Sequence, residues 1–198
     1  MLFRSPPIVA NMSAPAITGT WQVGTALNAS TGTWNPSTGL SYSYQWMSAA
    51  TAGGTYTNVA NGTAATYSLV AADLGRYFKV VVTASASGYQ NGTATSVASP
   101  LIVAGTLTSA TPLIVGTGVV GETLTVNAGT WTPSPTFTYQ WVRSDTATGS
   151  FTPIAGATGA SYVVTAADAG MFLEVIVTGT VDGYLPKSET STATAIAV

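Results

Sequence analysis

The chain has 198 residues, of which 6% are charged, with a net charge of −2 at pH 7 and neither histidine nor cysteine. The few cations, Arg4, Arg76, Lys79, Arg143 and Lys187, are scattered and form no stripe able to neutralise a run of phosphates, so no nucleic-acid partner is expected. Without His and Cys the chain lacks the commonest general base, the thiol nucleophile and the usual zinc ligands, so no enzyme activity, cofactor or metal is expected.

Along the chain, residues 1–12 read as an N-terminal flank. Met1-Leu2-Phe3-Arg4-Ser5-Pro6 is too short and too little apolar for a signal peptide with its apolar core of roughly 7–15 residues, and it is a candidate for a non-native start. Residues 13–103 then carry a set of landmarks: Gly24 and Leu27, Trp34-Asn35-Pro36, Tyr44-Gln45-Trp46, Ala71-Ala72-Asp73-Leu74-Gly75 and Gly88-Tyr89. Tyr42, Tyr44 and Trp46 alternate with polar residues, as do Phe78, Val80 and Val82, which is the period of a half-buried strand. Residues 104–110 read as a linker.

Residues 111–198 repeat the landmarks in the same order: Gly121 and Leu124, Trp131-Thr132-Pro133, Tyr139-Gln140-Trp141, Ala166-Ala167-Asp168-Ala169-Gly170 and Gly183-Tyr184. Each copy is expected to hold about seven short strands at the turn spacing of a sandwich, with at most one helical turn at its Ala-Ala-Asp. Apolar runs such as Leu101-Ile102-Val103-Ala104 fall far short of the roughly 18–20 residues of a spanning helix, so no membrane insertion is expected.

The Gly-x-x-Leu, Gly-x-Trp-x-Pro, Tyr-Gln-Trp, Ala-Asp-x-Gly and Gly-Tyr elements together make each copy resemble the bacterial immunoglobulin-like repeat of cell-surface, secreted and phage virion proteins. The resemblance implies two tandem immunoglobulin-like β-sandwich domains, an extracellular place on a bacterial surface or phage particle, and a longer multidomain parent chain. Asp73-x-Gly75-x-Tyr77 also resembles the tyrosine-corner signature of antibody-type domains, although the second copy has Phe172 at the tyrosine position. Absence of cysteine fits a bacterial or phage source.

Trp46 and Trp141 are expected to fill the core, and Trp34 and Trp131 to cover one end of it. Asp73 and Asp168 are expected to accept backbone N–H bonds in a turn, because the remaining acids are too dispersed for calcium. Lys79 alternates toward solvent, so no isopeptide crosslink to Asn is expected, and the Asn-x-Ser/Thr matches at Asn11, Asn28, Asn61 and Asn91 are chance in a Ser/Thr-rich chain. Candidate ligand contacts are Trp21, whose counterpart is Gly118, and the loop residues Tyr89 and Tyr184, because loops on a rigid frame carry recognition. The expected function is a non-enzymatic structural or spacer module, adhesive in addition through a cell-surface glycan or protein partner. The alternative is an accessory carbohydrate-binding module of a secreted hydrolase.

Overall fold

The computed structural model of the chain describes residues 5–197. It is all-β, with two single-turn 3₁₀ segments, Ala71–Asp73 and Ala166–Asp168, as the helical elements among the described residues. The chain divides between Gly105 and Thr106 into two compact units.

Unit 1 contains β1 (Ala10–Ser13), β2 (Ile17–Gly19), β3 (Ala26–Ala29), β4 (Thr33–Asn35), β5 (Ser41–Ala49), β6 (Thr57–Asn58), β7 (Thr66–Ser68), β8 (Tyr77–Ser85) and β9 (Gly92–Thr95). Its sheets run β2-β3-β7 and β6-β5-β8-β9, with β1 and β4 paired as a separate ribbon. On β8 the alternation in sequence becomes alternation in space: Phe78, Val80 and Val82 are fully buried and the residues between them are not. Trp46 lies opposite Val80 in the β5–β8 register. Tyr67 on β7 packs at 5.8 Å from the Trp46 ring and 5.4 Å from Phe78, joining the two sheets as facing layers. Burial of each such side chain contributes roughly 1.5–3 kcal/mol, which is why a core of this size holds without disulfides.

Unit 2 repeats the plan with β10 (Leu113–Val115), β11 (Thr123–Asn127), β12 (Thr136–Ser144), β13 (Thr152–Pro153), β14 (Ser161–Val163), β15 (Phe172–Thr180), β16 (Lys187–Thr190) and β17 (Thr194–Ala195). Its sheets run β10-β11-β14 and β13-β12-β15-β16, and β17 also pairs with β15. Trp141 faces Val175 across the β12–β15 ladder, and Tyr162 packs 5.5 Å from its ring.

The shared Tyr-Gln-Trp has a second use besides filling the core. Gln45 Nε2 donates to the carbonyls of Trp46 (2.8 Å) and Val59 (3.1 Å), and Gln140 Nε2 to those of Trp141 (2.8 Å) and Ile154 (3.0 Å). One amide thus braces the connection that follows the strand. Where β9 and β16 leave their ladders, buried serines stand in for backbone: Ser96 and Ser99 Oγ accept from Val80 and Phe78 N–H, and Ser191 Oγ from Val175 N–H.

Two stretches read in sequence as flank and linker are part of the folded units. Val9 is buried, its N–H donates to Gln90 O at 2.9 Å, and Gln90 N–H returns a bond to Pro7 O at 2.8 Å. This approach requires a glycine at position 92, where a Cβ would stand 1.8 Å from the Val9 carbonyl oxygen. Likewise Leu107 enters the core of unit 2, and Thr108 exchanges two backbone bonds of 3.0 Å with Thr132. The start read as non-native, Met1 to Arg4, lies outside the described residues, and Ser5 and Pro6 are exposed.

Candidate functional site

The repeated aspartates sit at the 3₁₀ turns that precede β8 and β15. Asp73 is buried, and its Oδ2 accepts from Val70 N–H at 2.9 Å and from the Tyr67 hydroxyl at 3.0 Å. Asp168 is wholly buried; its Oδ2 accepts from Thr165 N–H (2.9 Å), Thr165 Oγ1 (2.6 Å) and Tyr162 OH (2.7 Å), and its Oδ1 pairs with Arg143 at 3.1 Å. Burial alone raises the Asp168 pKa, but the bonds from Thr165, Tyr162 and Arg143 outweigh it and hold the carboxyl below its ordinary value. Tyr67 is pushed up to about 12, first by burial and then by the neighbouring Asp73 carboxylate. Both carboxylates are buried and spent on the turn. Among the described residues no three His, Cys, Asp or Glu converge as metal ligands.

Tyr67 and Tyr162 are the functional tyrosines of the turn, and the antibody-type signature pointed instead to Tyr77. The signal that finds them is the repeat itself, since a tyrosine precedes the aspartate by six residues in both copies.

All four repeated tryptophans are buried and anchored. The indole N–H groups of Trp34 and Trp131 donate to Thr31 O (2.7 Å) and Ala128 O (2.9 Å), and those of Trp46 and Trp141 to Ala64 O (2.9 Å) and Gly159 O (3.0 Å). None of them presents a ring face for stacking.

Within unit 1 the candidate ligand contacts Trp21 and Tyr89 are not brought together. Trp21 is half-buried, and its carbonyl accepts from Val103 N–H, close to the turn that enters β8. Tyr89 is 39% exposed in the loop that leaves β8. Nine strand residues separate those ends, about 27 Å at strand rise. Tyr184 occupies the matching loop of unit 2 but packs against its core. Gly118 explains why unit 2 has no tryptophan at the Trp21 position: a Cβ there would lie 2.8 Å from Ala195 O.

The concavities are shallow. One of about 380 Å³ is lined by Ser134, Pro135, Thr136, Thr180, Val181 and Asp182. A second of about 180 Å³ lies beside Trp34, Leu40 and Tyr42. The Nζ of Lys79 lies over the Tyr56 ring at 4.4 Å.

No family model and no curated protein matches the chain. Among solved structures it is similar to one described as a Ca²⁺-stabilized adhesin that helps an Antarctic bacterium reach out and bind ice. The identity is 16% and the TM-score 0.34, over 96% of this chain and 50% of that one. The chain therefore spans about half that structure's length, and a likeness of this degree carries no functional weight.

Proposed function

We propose that the chain is a non-enzymatic structural module, two immunoglobulin-like domains in tandem, which extends or displays a larger protein on a bacterial surface or phage particle. The reading rests on how the side chains are used. The repeated Trp and Asp residues, which would be the first candidates for stacking or coordination, are buried and bonded to backbone within their own unit. Every buried side-chain nitrogen and oxygen among the described residues has a hydrogen-bond partner. Such groups supply rigidity, and weak adhesion through a glycan or protein would add to it by multivalency.

The exposed ring of Tyr89 and the half-exposed Trp21 favour the second reading, an accessory carbohydrate-binding module. The deciding experiment incubates the purified chain with insoluble polysaccharides and bacterial cell walls, beside Trp21→Ala and Tyr89→Ala. Retention no greater than that of an inert protein is expected. Firm retention that either substitution abolishes would overturn the spacer reading in favour of carbohydrate recognition, and release of soluble sugar would overturn its non-enzymatic character.

A further inference from the structure

The larger sheet of each unit carries one charge on its outward face, at the same place and with opposite sign. On β8, Phe78 and Val80 point into the core, so Lys79 between them faces outward, opposite Met47 on β5. On β15, Leu173 and Val175 point inward, and Glu174 faces outward opposite Val142 on β12. The Tyr56 that receives Lys79 has Phe151 as its counterpart. Every other outward position on these paired strands is a hydroxyl, an amide or an apolar side chain.

In a chain with only five basic and seven acidic residues, an exact reversal at one structural position is notable. The two ion pairs among the described residues are Arg143–Asp168 and Lys187–Glu189, so neither Lys79 nor Glu174 takes part in one. Partial burial of Glu174 raises the pKa of its carboxyl, the mark of a charge that loses water without gaining a partner.

We propose that the two faces recognise each other between molecules: the outward sheet face of unit 1 docks on that of unit 2 in a second copy of the chain, with Lys79 against Glu174. Pairing like faces would set Lys79 against Lys79 or Glu174 against Glu174, so the reversal selects the unlike pair. Four strands at about 4.8 Å spacing and nine residues at about 3.3 Å rise give a face of roughly 500 Å². That is below the roughly 800 Å² per partner of a stable complex, so the association is weak and depends on local concentration. A spacer needs no such contact, so this inference and the proposed function stand or fall separately.

Sedimentation velocity of the whole chain from about 10 μM to 1 mM tests it. The mean mass is expected to rise with concentration, and association to weaken about fivefold between 50 and 500 mM salt as the pair is screened. K79E and E174K are each expected to weaken self-association about tenfold by replacing attraction with repulsion. An equimolar mixture of the two variants, or the K79E/E174K double variant, is expected to restore it. A chain that stays monomeric throughout overturns the inference, as do single variants that associate like the parent or a mixture that fails to recover. The concentration and salt series on the parent chain decides the matter even where a variant does not fold.

Discussion

The two units build one turn on different supports. In unit 1 the buried Asp73 carboxylate accepts two bonds, from Val70 N–H and the Tyr67 hydroxyl; in unit 2 Asp168 accepts those two from Thr165 and Tyr162, then a hydroxyl bond from Thr165 and an ion pair from Arg143. The difference comes down to two positions, Val70 against Thr165 and Ser48 against Arg143. Where unit 1 has Ser48, Arg76 approaches from the turn and donates to its Oγ at 3.0 Å. The tyrosine and the carboxylate are what the fold requires, and the rest of the shell has been free to change around them.

The strongest way to break this comparison is to remove both carboxylates, one at a time. Asp168→Ala strands four donors and is expected to cost unit 2 about 3–4 kcal/mol, against about 2 kcal/mol for Asp73→Ala in unit 1. Hydrogen exchange of the whole chain in urea assigns each loss to its unit, and equal losses would show that the extra bonds add nothing.

Tyr67→Phe is expected to cost about 1–1.5 kcal/mol, the net worth of one hydrogen bond to a charged group at a half-buried site. It also has a pH signature. Because the folded pKa of Tyr67, about 12, lies above the ordinary tyrosine value near 10, its contribution is complete below about pH 10 and is lost as the pH rises toward 12. Burial also raises the pKa of Tyr56 and Tyr162, so absorbance titration should show a late-ionising group of tyrosines that loses one member in Tyr67→Phe. Asp168 works in the opposite sense: with a depressed pKa, its contribution is complete above the ordinary aspartate value near 3.9 and is lost as the pH falls through the folded value. Acid unfolding of unit 2 should therefore lose that limb in Asp168→Asn.

The smallest change sharpens the comparison. Val70→Thr gives unit 1 the hydroxyl that Thr165 supplies to unit 2, and is expected to stabilise unit 1 by about 0.5–1 kcal/mol in urea unfolding. Val70 is 52% exposed, so little packing is lost in exchange. No gain would mean that the Thr165 hydroxyl bond is incidental.

How much of this was legible in the sequence follows the range of the interactions. The strands and the central tryptophans follow from local alternation and from the repeat, and Phe78, Val80, Val82, Trp46 and Trp141 are buried as that pattern requires. The turn aspartates were readable because an acid before a tight turn meets its own backbone. Partners that depend on register were not readable: the Gln45 brace and the Ser96 and Ser99 acceptors each join segments that only the finished sheets bring together. Of the candidate contacts, the sequence placed Tyr89 and Tyr184 in equivalent loops, but it could not say that one ring would be exposed and the other packed on the core.

The early entry of Leu107 into unit 2 has a practical consequence for anyone cutting the chain. Ala104 is still held by the Gln22 side chain at 3.0 Å, and Leu107 is already in the core, which leaves Gly105 and Thr106 between them. A fragment begun at residue 111, where the sequence repeat starts, would discard that leucine and open a void of the kind that costs roughly 2–5 kcal/mol. Only Gly105 and Thr106 separate the bonded end of one unit from the core of the next, so cleavage at the junction is expected to be slower than in the exposed loops of either unit.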